Sequence, residues 1–152
     1  MYGKFYKLQK GVTLIELLLV VAVLTLIASS AYPLGSGFLA RNTFENKVEE
    51  LVNSLRIAQL NTLAGKESNS WGVNVSQDAI TLFKGSSYSS RDPSYDEVFE
   101  IPGGVSVSPI PAEVVFDRLN GNPGSSIAFS LNNDHGQVSN VSVNELGIVD
   151  VD

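Results

Sequence analysis

The sequence predicts an α+β protein, with a long N-terminal helix packed on a mainly antiparallel β-sheet. Three observations carry that expectation. An almost unbroken run of Val, Leu, Ile and Ala fills residues 12–32, enough for a bilayer-crossing helix, which takes roughly 20 residues. Helical periodicity returns over residues 38–64, and beyond Gly65 the pattern switches to alternation punctuated by turn residues. A helix followed only by strands implies a helix laid on a largely antiparallel sheet.

The apolar run is preceded by Lys4, Lys7 and Lys10 and carries one carboxylate, Glu16, near its start. A carboxylate costs about 2.5–3.5 kcal/mol at mid-membrane on insertion scales and less near an end, so Glu16 should have a task or a partner. In hydrocarbon it is neutralised or paired. Lysines before an apolar span predict a cytoplasmic N-terminus and an exported C-terminal domain. The competing reading is a secretory signal peptide cleaved near Ala28-Ser29-Ser30. Against it stand Glu16 and an apolar region longer than the usual roughly 7–15 residues.

Lys10-Gly11-Val12-Thr13-Leu14-Ile15-Glu16-Leu17 resembles the class III signal of type IV prepilins and type II secretion pseudopilins. The resemblance implies cleavage by a prepilin peptidase between Gly11 and Val12, methylation of the new N-terminus at Val12, and Glu16 as the glutamate that the family carries at the fifth mature position. Glu16 would then pair with the N-terminal amine of a neighbouring subunit and set the stagger between parallel helices. Val12 departs from the more usual phenylalanine. On this reading residues 1–11 are the leader, 12–32 the transmembrane and filament-core helix, 33–66 its amphipathic continuation, and 67–152 a β-rich globular domain. The implied partners are prepilin peptidase, other pilins or pseudopilins, and an inner-membrane assembly platform. The implied location is the inner membrane, single-pass, then a filament.

The span reaches Tyr32-Pro33-Leu34-Gly35. Proline removes a helical hydrogen bond and disfavours helix just before itself. Pro33 therefore marks a helix kink or a stop at the membrane surface. Phe44, Val48, Leu51, Val52, Leu55 and Ala58 then form one helical stripe that Thr62 extends, with Glu45, Glu49, Glu50, Asn53 and Arg56 off it. Gly65-Lys66 reads as a C-cap glycine with a cation at the helix end. The like-charged Glu45 and Glu49 suit either a solvated face or a basic neighbour.

Beyond the helix, 71–75 and 79–84 read as a hairpin around Ser76-Gln77-Asp78, and 85–96 as an exposed loop. Further strands are expected at 97–101, around Val105 and Val107, and at 114–117, with Pro109 and Pro111 confining their neighbourhood to an edge or a bend. Strands at 127–131, around Val138 to Val143, and at 148–151 complete the set. The succession of Phe116, Gly121, the 127–131 strand, Gly136, Val141, Val143 and Gly147-Ile148-Val149 resembles the GspH/FimT domain of minor pseudopilins and minor pilins. That resemblance implies a pilin-like fold and a place at or near the tip of a type II secretion pseudopilus. The alternative is a minor type IV pilin acting in adhesion or DNA uptake.

Composition narrows the chemistry. The chain has 16 acidic and 10 basic side chains, a formal −6. Removing the leader takes three lysines and no acid, so the mature form is more acidic still. That balance argues against nucleic acid as a partner, because phosphate contacts rest on Lys and Arg. The absence of cysteine excludes disulfides, thiolate chemistry and Cys-based zinc sites, and departs from the disulfide-closed loop of many major pilins. His135, the only histidine, sits in an Asn-Asp-His-Gly turn with no triad or zinc spacing. Asp117, Asn120, Asn122 and Asp134 offer loop oxygens, but not in an EF-hand order. Tyr88, Tyr95 and Trp71 form a candidate sticky surface, with Trp71 in an alternating strand the better core residue. No enzyme, cofactor or metal site is expected.

Overall fold

The computed structural model describes residues 11–152 and, of residues 30–38, the backbone alone. The expected leader at 1–10 and the side chain of Pro33 lie outside the described residues. Helix α1 (Leu14–Leu63) is followed by β1 (Trp71–Val75), β2 (Ala79–Lys84), β3 (Glu97–Glu100), β4 (Val105–Ser108), β5 (Ala112–Val115), β6 (Ile127–Asn133), β7 (Val138–Val143) and β8 (Val149–Val151). The chain divides between Leu39 and Ala40 into two compact units. The second contains the C-terminal part of α1 and every strand.

The α+β class predicted from the sequence is the one observed, with one difference. The strands form two four-stranded antiparallel sheets, in the orders β3-β2-β1-β5 and β4-β6-β7-β8. β4 and β5 are consecutive in the chain yet lie on the edges of different sheets, and the Pro109–Pro111 stretch carries the crossing between them. Proline suits such a place because it cannot donate to a ladder on both sides.

Helix and sheets meet in one core. Phe44, Leu51, Leu55 and Ala58 of α1 are buried with Val73 and Val75 of β1, Ile80 and Leu82 of β2, Phe129 and Leu131 of β6, and Val141 and Val143 of β7. The helical spacing and the period-two alternation thus aim at one centre. Thr62, at the end of the stripe and 1% exposed, fastens helix to sheet. Its Oγ1 donates to the Ala58 carbonyl at 2.8 Å and accepts the Trp71 backbone N–H at 2.9 Å. Gly65 closes the helix at φ 63.

The second face of the β1–β2 pair is covered as well. Phe83 lies on the opposite face from Leu82 and is fully buried, opposite Gly72 in the register. A Cβ at Gly72 would stand 2.6 Å from the Val114 carbonyl and 2.8 Å from the Phe83 ring. Glycine is what leaves room for that ring against β1. Residues 85–96 close over the same region. Tyr88 packs edge-on to Phe83 at 5.5 Å and its N–H donates to Glu113 at 2.8 Å.

Candidate assembly helix

Thr13 sets the start of α1. Its hydroxyl accepts the Glu16 N–H at 3.3 Å, and its carbonyl accepts the Leu17 N–H at 3.2 Å. Thr13-Leu14-Ile15-Glu16 therefore has the spacing of a capping box, with Glu16 at the position where a carboxylate favours the positive helix end. From the sequence, Glu16 was legible as a costly membrane carboxylate and as the partner of a neighbouring subunit's amine, but not in this local role. The threonine three residues earlier was the signal for it. Gly11, Val12 and Thr13 precede the helix and are exposed, so the expected cleavage site is a non-helical peptide.

From there the helix is apolar on all sides. Leu14, Ile15, Leu17, Leu18, Leu24 and Ile27 are 79%, 70%, 59%, 56%, 59% and 62% exposed. A helix with no polar face belongs in a protein or lipid interior. Its two hydroxyls need nothing from outside: Thr25 Oγ1 donates to the Ala22 carbonyl at 2.8 Å and Ser29 Oγ to Leu26 at 2.9 Å. Glu16 is the charged residue of this stretch. Among the described residues no helix is long and apolar enough to cross a membrane. The span expected at 12–32 runs past Ser29 into positions whose side chains lie outside the described residues.

Residues 6–32 match the family described as Prokaryotic N-terminal methylation motif. The chain is 30% identical over 89 residues to the type IV major fimbrial protein FimA of Dichelobacter nodosus, a stretch that covers 59% of this chain. It spans only 56% of the length of that relative. No solved structure matches. By motif and by this partial likeness, the chain is type IV pilin-like.

The other candidate residues fall in separate places. Asp117, Asn120 and Asn122 share one loop, closed by the Asp117 N–H on the Asn122 carbonyl at 2.9 Å, with Asn120 Oδ1 taken by the Asn122 N–H at 3.0 Å. Asp134 lies instead in the β6–β7 turn, where its N–H donates to the Gly104 carbonyl, and His135 is exposed beside it. No group of three or more His, Cys, Asp or Glu residues able to hold a metal occurs among the described residues. Trp71 is 2% exposed, and Tyr95 packs edge-on against it at 6.1 Å. The aromatic residues build core and loop anchor rather than a sticky surface.

The loop at 85–96 is pinned rather than free. Arg91 Nε donates to Asp96 at 2.7 Å, and this hydrogen bond raises the guanidinium pKa. Lys84 stacks over the Tyr95 ring at 3.7 Å, with Glu67 and Asp92 at 3.9 and 3.8 Å. The Asp92 carboxyl lies below the usual carboxylate range, chiefly because the Ser94 hydroxyl and N–H donate to it, with Lys84 adding to the effect.

Proposed function

We propose that this chain is a structural subunit of a type IV pilin-like filament rather than an enzyme. Prepilin peptidase cuts between Gly11 and Val12, Val12 is methylated, and α1 enters the filament through its bare apolar surface. The carrying observation is that surface: large apolar side chains exposed around the whole helix between residues 14 and 27, with one carboxylate at its start. Before assembly the membrane covers it, as a single span with the N-terminus cytoplasmic. In the filament, neighbouring helices cover it and the amine of Val12 on the next subunit pairs with Glu16. Pro33 supplies the local kink that packing requires.

Within that class we place the chain as a GspH-type minor pseudopilin of a type II secretion-like pseudopilus, docked on an inner-membrane assembly platform. The glycines of the C-terminal pattern support this reading. Gly121 and Gly147, at φ 70 and 79, bring two loops against α1, where Gln59 Nε2 donates to the Gly121 carbonyl at 3.0 Å. A Cβ at Gly147 would meet that carbonyl at 2.6 Å. The partial likeness to a fimbrial protein favours the alternative, a minor type IV pilin acting in adhesion or DNA uptake.

Glu16→Ala tests the assignment. Cleavage should persist, with intact mass giving a methylated Val12 start, while incorporation into sheared filaments falls at least about tenfold, the scale of losing one charge-assisted pair. Normal assembly of that variant refutes the pairing role. A deletion strain that loses secreted proteins but keeps surface fimbriae and DNA uptake supports the pseudopilin; the reverse phenotype supports the pilin.

A further inference from the structure

Strand β4 has one partner, β6, and its other side is an open edge of the second sheet. The register fixes which backbone groups that edge presents. Asn133, opposite Val105, donates its N–H to the Gln137 carbonyl at 3.1 Å, away from β4, and the Asp134 N–H donates to the Gly104 carbonyl at 3.1 Å. Gly104, Ser106 and Ser108 therefore bond towards β6, while Val105 and Val107 aim their N–H and C=O groups outward. The Val105 N–H is taken by the Pro102 carbonyl at 3.2 Å, which closes the turn into the strand. Among the described residues, no backbone bond outside the ladder takes the N–H or the carbonyl of Val107. Val107 is 7% exposed, so these groups meet little water, and a backbone group with neither kind of partner is costly.

The edge opens into a cleft of about 510 Å³. Val105, Ser106 and Val107 all line it. Consecutive strand residues point to opposite faces, so the cleft runs along the edge of β4 rather than over one face of the sheet. Ile101 and Ile110 supply apolar surface, Ile110 being 42% exposed, and Gln77 and Asp78 of the β1–β2 turn form a polar rim. The fixed charge around it has one sign. Asp78 lines the cleft, Glu100 lies opposite Ala79 in the adjoining ladder, and Asp134 Oδ2 is 3.2 Å from where a Cβ on Gly104 would stand. None of these three carboxylates forms a salt bridge among the described residues. No Lys or Arg lines the cleft, and beyond Arg91 the sequence has a single one, Arg118.

We propose that the open edge of β4 takes up an extended, basic segment of a partner protein as an added strand. An open edge is a template for one kind of guest, a chain in β conformation, whose N–H and C=O groups pair with those of Val107. An apolar side chain of the guest lies against Ile101 and Ile110, and a flanking Lys or Arg meets Asp78 or Glu100. The unpaired carboxylates select the sign of the guest. They also disfavour β4 of a second copy, whose residues 105–111 carry no cation and which would bring like charges to the same place. The cleft lies wholly in the sheet-bearing unit, so this contact goes beyond the helix-driven assembly proposed above and does not depend on it.

The test titrates the full-length chain in detergent with three acetylated, amidated heptapeptides. One is Lys-Val-Thr-Val-Thr-Val-Arg, the second its acidic counterpart Glu-Val-Thr-Val-Thr-Val-Glu. The third is Lys-Val-Pro-Pro-Thr-Val-Arg, in which successive prolines remove a ladder N–H in either register. The first peptide is expected to bind and to slow exchange of the Val107 amide at least about tenfold, and each of the others to bind at least about tenfold more weakly. Asp78→Lys, at an exposed turn position, should leave the unfolding transition in place and weaken the first peptide at least about fivefold. No binding of that peptide at millimolar concentration, equal binding of the proline peptide, or an affinity indifferent to Asp78→Lys overturns the proposal. Protection of the Val107 amide that grows with protein concentration in the absence of peptide overturns it too, by making a second copy the occupant.

Discussion

Leu17 and Leu51 sit on the same helix and have opposite fates: the first is 59% exposed, the second fully buried. The contrast extends to their neighbours. Around Leu17 the apolar residues surround the helix, whereas around Leu51 they form one stripe with charges off it. The N-terminal half of α1 satisfies its hydrophobicity outside the chain; the C-terminal half does so inside it. One continuous element thus serves two solvents, and residue type alone does not tell which. The spacing does.

The largest effect that sharpens this contrast is Leu51→Ala. Removing a fully buried leucine should cost about 2–5 kcal/mol, read by denaturation followed through the fluorescence of Trp71, the one tryptophan. Leu17→Ala, measured in the same detergent, should shift that transition by less than about 0.5 kcal/mol. Equal losses from the two would break the distinction.

Thr62→Val comes next. The valine fits the stripe but leaves the buried Trp71 N–H without its acceptor, which costs about 1–3 kcal/mol. Faster amide exchange at Trp71, ahead of global unfolding, is the expected signature. The smallest effect is at the pinned loop. Because the folded pKa of Asp92 is lowered, its contribution is fully present above the unfolded value of about 3.9 and is lost as pH falls through the folded value. Tyr88 and Tyr95 signals should hold steady from neutral pH to about 4 and move only below it, and Asp92→Asn should remove that step.

Much of the fold was legible because it is written locally. The stripe from Phe44 to Ala58, the hairpin around Ser76-Gln77-Asp78 and the alternation at 127–131 each report their own conformation. The division into two sheets was not legible. Whether β4 pairs with β6 or with β5 depends on contacts between distant residues, and the two prolines between β4 and β5 announce a bend without saying where it leads. The loop at 85–96 was expected to be exposed because its serines, Asp92 and Pro93 are turn formers. Its anchors, Phe83, Glu113 and Glu67, are distant in sequence or sit in another element, so nothing local revealed them. At the assembly helix, Glu16 was legible as an anomaly in an apolar run, while its place on the Thr13 cap was overlooked in a short motif that was visible.

The fastening of α1 to the sheets bears on how the protein carries a mechanical load. The buried stripe runs along the helix axis and is backed by no disulfide, the chain having no cysteine. Tension applied at the N-terminal end would therefore shear the stripe, the Thr62 hydroxyl and the Gln59–Gly121 clamp together, side by side, instead of unzipping them one at a time. Attachments loaded in parallel share the force, and they re-form when it is released, as a covalent staple broken under the same pull would not.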